Sequence, residues 1–112
     1  MVKAAYVPDA GDIVWLSFDP QAGHEQAGHR PALVLSPRAY NQARGMMIAC
    51  PMTSRIKGYP FEVVLNRAPP SAVLVDQVKS LDWRARQAVF KGRAPQAALA
   101  EARAKLKSLL GL

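Results

Sequence analysis

The chain has little with which to cross-link itself or hold a metal. One cysteine, Cys50, among 112 residues excludes an internal disulfide and a cysteine-rich zinc site. The two histidines, His24 and His29, sit at a spacing that matches no standard metal-ligand pattern, so neither a metal nor a cofactor is expected. No apolar run approaches the roughly 20 residues that span a bilayer. The N-terminus reaches Pro8 without the apolar stretch of a signal peptide. A reduced, cytoplasmic setting is the expectation. Acidic residues are also scarce: 8 Asp and Glu stand against 15 Lys and Arg, leaving a net charge of +7.

Half of the residues are hydrophobic and 21% are charged, which excludes a disordered chain. The length fits one domain, residues 1–112, with a small core. A chain this short buries only about two-thirds of its unfolded surface, so a partner subunit would aid stability. The charge is uneven: residues 1–56 carry a net +1 and residues 57–112 a net +6. Such a half suits a polyanion, nucleic acid above all, or is simply a solvated basic surface.

Nine prolines punctuate short apolar runs, as in an all-β domain. Asp12–Phe18 is β-branched and aromatic and reads as a strand. Residues 21–30 read as a polar loop with two glycines, a natural place for function. Pro31–Ser36, Met46–Thr53, Phe61–Leu65 and Ala72–Asp76 read as further strands, with a last short one over 86–92. Tyr40 to Gly45 reads as a turn or a single helical turn. Leu99, Ala102, Leu106, Leu109 and Leu110 then fall at helical spacing, with Glu101 and Lys105 paired on another face. Pro95 near the start and Gly111 past the end mark the helix. The expectation is a mainly β barrel of five to seven strands closed by a C-terminal helix.

Four clusters carry possible chemistry. His24 and His29 flank Glu25, and such a group can serve acid–base catalysis. Arg30 is biased towards an extended conformation by Pro31. A guanidinium held on so rigid an element can grip a phosphate, or it merely covers a strand end. Thr53–Ser54–Arg55–Ile56–Lys57–Gly58 offers hydroxyls, cations and a glycine, a phosphate-binding set or an exposed polar turn. Lys79, Arg84, Arg86, Lys91 and Arg93 interleave with Trp83 and Phe90. Cations on phosphates and rings on bases hold single-stranded nucleic acid, whereas a core Trp83 with solvated cations holds none.

Together the residues amount to more. Gly11–Pro20, Gly23–Pro37 with its Glu25–Gln26–Ala27–Gly28–His29–Arg30–Pro31 segment, Pro51–Ser54, Lys57–Val63 and Asp76–Arg84 closely resemble, in this order, the MazF/PemK/Kid family of toxin–antitoxin endoribonucleases. The resemblance runs from about Tyr6 to Arg86. It implies an SH3-like barrel of the CcdB/MazF/PemK type, forming a homodimer, and metal-independent cleavage of single-stranded RNA, chiefly mRNA. It also implies a cognate antitoxin whose acidic, flexible tail blocks the site. The family's key arginine falls on Arg30 and its key threonine on Thr53.

In such cleavage the ribose 2′-OH attacks the adjacent phosphorus, leaving a 2′,3′-cyclic phosphate and a 5′-OH. Arg30 and Thr53 are expected to stabilise the phosphorane, and Glu25 to transfer a proton or position substrate. Candidates for contact with RNA are Trp15, Phe18, Gln26, His29, Ser54, Lys57, Gln77 and Lys79. Trp15 is equally readable as a core residue. The competing class is a non-catalytic, CcdB-like gyrase-binding toxin on the same barrel. Such toxins end in a Trp-Gly-Ile-type terminus, whereas this chain ends Leu109–Leu110–Gly111–Leu112.

Overall fold

The structure, a computed structural model, describes residues 5–18 and 28–112. Seven strands and two α-helices follow in the order β1 (Asp12–Ser17), β2 (His29–Val34), α1 (Arg38–Arg44), β3 (Met47–Thr53), β4 (Glu62–Arg67), β5 (Pro70–Leu74), β6 (Lys79–Leu81), β7 (Val89–Arg93) and α2 (Gln96–Leu109). Spatially the strands run β4-β5-β3-β2-β1-β7, with β6 also paired to β3. All pairings are antiparallel. This is the expected SH3-like barrel with a C-terminal helix.

β3 is the element on which the barrel turns. Its first half pairs with β6 and β2, through Met47↔Leu81 and Ala49↔Val34. Its last two residues pair with β5 instead, through Met52↔Val73 and Thr53↔Ala72. One strand thus belongs to two sheets, and Pro51, which has no N–H to give a ladder, lies where it changes partner. Successive side chains of a strand point to opposite faces, so the strands feed two cores. Val14, Leu16, Phe18, Ala32, Val34, Met47, Ala49, Leu81 and Trp83 form one. Leu33, Cys50, Met52, Val63, Val73 and Val75 form the other, covered by α2 through Ala98 and Ala102.

The structure differs from the sequence reading at four places. The short turn after Tyr40 is a two-turn helix, Arg38–Arg44, closed by Gly45 at φ 66°, the left-handed conformation that glycine adopts without strain. Around it, Asn41 forms a buried polar node: Ser36 Oγ donates to its Oδ1 at 2.6 Å, and its Nδ2 donates to the carbonyls of Pro8 and Ser36 at 2.8 and 2.9 Å. Val75 to Gln77 forms a 3₁₀ turn rather than the end of a strand. The three-residue β6 owes its form to pairing with β3. In α2 the buried positions are Ala98 and Ala102, whereas Leu109 and Leu110 are exposed. The expected Glu101–Lys105 pair is present at 3.0 Å.

Candidate active site

A cleft opens where β3 leaves β2. The β2–β3 ladder ends at Ala32↔Pro51. Carried two residues further, the same register sets Arg30 across from Thr53, after β3 has turned towards β5. The two strands splay there, and two adjoining pockets of about 720 and 510 Å³ share Arg30, Thr53 and Ser54 as their common rim.

The larger pocket is polar and cationic. Arg30, Arg55 and Lys57 line it beside Thr53, Ser54, Tyr59 and Gln77, with Glu62 at its base. Glu62 is 4% exposed, and its carboxylate accepts the backbone N–H of Gly58 at 2.6 Å and of Lys57 at 3.0 Å. Tyr59 donates its hydroxyl to Asp76 at 3.0 Å. Burial, and then that hydrogen bond, push the Tyr59 phenol up to about 12, so it stays a neutral donor throughout the physiological range. The Thr53 hydroxyl oxygen accepts the Arg55 N–H at 3.1 Å, which leaves its own proton available to donate.

The smaller pocket has an apolar lining: Ile13, Trp15, Pro31, Met52, Leu65, Pro69 and Pro70, with His29 and Lys91 at its edge. Trp15 and His29 stack with centroids 5.5 Å apart at 13°. The Lys91 ammonium stands 5.4 Å from the Trp15 ring centre. Trp15 is half-buried and belongs to neither core; it forms a wall of the smaller pocket.

The structure thus brings Arg30, Thr53, Ser54, Lys57, Gln77, Trp15 and His29 to one cleft. Glu25 and Gln26, with His24, lie outside the described residues. One expectation is corrected, and one candidate lies apart from the cleft. Phe18 is 2% exposed and sits in the first core, so it has no free face on which a base could stack. Lys79 does not line the cleft; its ammonium lies 5.8 Å from the centre of the Phe18 ring, outside that site. The basic stretch after residue 79 resolves mostly into structure. Trp83 is 6% exposed and donates its Nε1–H to the Asn41 carbonyl at 2.9 Å. Arg86 donates to the Ser17 carbonyl, and Arg93 pairs with the buried Asp12 at 2.7 Å. Of this stretch only Lys91 reaches the cleft. Sequence reasoning missed Glu62, because a glutamate between Phe61 and Val63 reads as the solvent side of an alternating strand.

Comparison with known proteins shows the family and the fold. Residues 9–110 match the family model of the PemK-like, MazF-like toxin of type II toxin–antitoxin systems. The chain is 53% identical over 107 residues to the endoribonuclease toxin MazF of Escherichia coli strain K12, covering 95% of this chain and 96% of that one. It is 38% identical over 109 residues to the endoribonuclease toxin ChpB of the same strain, covering 91% and 93%. The crystal structure of MazF from Deinococcus radiodurans superposes with a TM-score of 0.90 at 61% identity, covering 96% of this chain and all of that one. A MazE–MazF complex from that organism matches with a TM-score of 0.85 at 61% identity, covering 96% of this chain and 99% of that chain.

Proposed function

This chain belongs to the PemK-like, MazF-like toxin family of type II toxin–antitoxin systems, and from that premise we propose that it is a cytoplasmic, sequence-specific endoribonuclease cutting single-stranded RNA, chiefly mRNA, without a metal, and so arresting translation and growth. The observation that carries this reading is the cationic cleft in which Arg30 and Thr53 meet at the rim between a polar and an apolar pocket. An RNA strand needs both kinds of surface, cations for its phosphates and ring faces for its bases.

The chemistry follows from the rim. The 2′-OH of the bound nucleotide attacks the adjacent phosphorus, the bond to the 5′ oxygen breaks, and a 2′,3′-cyclic phosphate and a 5′-OH remain. The crowded phosphorane carries extra negative charge on its equatorial oxygens. The Arg30 guanidinium can donate to two of them and the Thr53 hydroxyl adds a third bond. Lys57 and Arg55 hold neighbouring phosphates, while the Trp15–His29 stack receives a base. Glu25 is assigned to proton transfer or substrate positioning. The net +6 of residues 57–112 also favours an antitoxin with an acidic, flexible tail competing for the same cleft. A homodimer fits the small core. MazE–MazF complexes of related chains support the antitoxin, and the relatives named endoribonucleases support the activity.

The test is incubation with a long single-stranded RNA in EDTA, mapping of the new ends, and the same with Arg30→Ala. Cuts at one recurring short sequence, bearing 5′-OH ends and slowed at least about a hundredfold in Arg30→Ala, are the expected result. Intact RNA across several unrelated substrates refutes the reading.

A further inference from the structure

We propose that Glu62 is a positioning residue of the cleft: its buried carboxylate holds the backbone of Lys57 and Gly58 and thereby sets where the Lys57 ammonium meets RNA. The proposal rests on the ribonuclease reading above for its substrate, and on the geometry alone for the loop. Three contacts carry it. Oε1 accepts the Gly58 N–H at 2.6 Å and the Lys57 N–H at 3.2 Å, and Oε2 accepts the Lys57 N–H at 3.0 Å. The Glu62 N–H returns to the Tyr59 carbonyl at 3.1 Å, closing the turn on itself. Gly58, at φ 82°, supplies the reversal that points both N–H groups at one carboxylate. The strand end that bears Glu62 is in turn tied to α2, since Lys105 Nζ donates to the Glu62 carbonyl at 2.7 Å.

A carboxylate suits this place for a physical reason. Two converging N–H donors need an acceptor without protons, and a glutamine would turn an NH₂ group towards one of them. Placing a negative charge in a phosphate-binding cleft otherwise works against the ligand. Electrostatics alone therefore requires Glu62→Gln to bind RNA more tightly. Positioning requires the opposite, because a loosened turn no longer presents Lys57.

The experiment measures cleavage of a short single-stranded RNA carrying the mapped site by wild type, Glu62→Gln, Lys57→Ala and the double variant. The expected result is a roughly tenfold rise in KM for Glu62→Gln with kcat within about twofold, the pattern of lost uniform binding. In the Lys57→Ala background the second change adds nothing further to KM, whereas a merely structural role would add its cost in full. An unchanged or lowered KM for Glu62→Gln, or additive effects, overturns the proposal. Amide hydrogen exchange of Lys57 and Gly58 in the wild-type protein tests the loop independently of folding of the variant and of any RNA. Slow exchange at both is expected, and exchange at the free-peptide rate overturns the proposal. If wild type cleaves no RNA, the ribonuclease reading fails, and exchange at these two amides still decides whether Glu62 holds the turn.

Discussion

Replacing Asn41 by alanine strikes the fold far from the cleft, and the structure sets the size of the effect. Asn41 is fully buried. Its side chain accepts from the Ser36 hydroxyl and donates to two carbonyls, those of Pro8 and Ser36. Through these bonds it joins the N-terminal segment, the end of β2 and α1. Alanine leaves one hydroxyl and two carbonyls without that partner. Each buried polar group so stranded costs about 1–3 kcal/mol, and water entering the vacated space offsets part of this. A net loss of about 3 kcal/mol is expected, a large share of the 5–15 kcal/mol typical of a domain. For a chain of 112 residues that corresponds to a fall in Tm of roughly 12 °C. The assay is urea and thermal unfolding followed by tryptophan fluorescence, at fixed protein concentration because association shifts Tm. Trp83, whose Nε1–H donates to the Asn41 carbonyl, reports on this node directly. A loss below about 1 kcal/mol refutes the node as a structural keystone and with it the hydrogen-bond accounting above.

Gly11 sits at φ 91°, and a Cβ there would stand 3.2 Å from Arg93 Nη2 and 3.4 Å from Leu99 Cδ2. Gly11→Ala is therefore expected to lower stability by about 1–3 kcal/mol through backbone strain and a displaced Arg93–Asp12 pair, measured by thermal unfolding. The Cys50 thiol is pushed up to about 12, first by burial and then by Asp76. Native protein at pH 8 should leave it unmodified by a thiol reagent that labels the urea-unfolded chain within minutes. Because the folded thiol holds its proton where the unfolded one has lost it, its contribution to stability is complete below the ordinary thiol range of about pH 8.5. That contribution falls as pH rises towards 12, and a stability curve that rises over this interval contradicts the assignment. Arg30, Arg55 and Lys57 line the larger pocket; with one phosphate to each, log K for a non-cleavable single-stranded RNA should fall with log salt at a slope of about −2. Arg55→Ala should reduce that slope by about 0.7.

How far the fold was legible follows from what each segment does. β1, β3 and β4 announce themselves because their residues are β-branched, aromatic or apolar and are bounded by proline or glycine. β6 does not, since Lys79–Ser80–Leu81 has no pattern of its own and becomes a strand only against Met47–Ala49. Asn41 falls in a stretch that reads as a short turn, and its buried setting depends on Pro8 and Trp83, which are distant in sequence. The cleft was legible where local chemistry constrains a side chain. Pro31 after Arg30, and the hydroxyl and cation run from Thr53, were visible in the chain itself. Glu62 was not, because its partners are the N–H groups of a turn that must first fold back. Phe18 misleads for the converse reason: an aromatic next to a functional loop reads as a groove wall, yet it is the last inward residue of a core stripe with Val14 and Leu16.

The partner change of β3 links stability to the site. Thr53 is fixed by pairing with Ala72 across to β5, whereas Arg30 is fixed by pairing with Leu16 across to β1. The two residues assigned to the phosphorane thus sit on strands that pair away from each other, one towards β1 and the other towards β5, and the cleft lies between them. Met52, buried in the second core with Val73 and lining the smaller pocket, lies at this seam. Both cores are close-packed and resist small volume changes, so the separation of Arg30 from Thr53 is held by the same contacts that hold the barrel shut. A cleft placed at this seam needs no separate scaffold, because Met52 of the second core and Pro31 of β2 themselves line it.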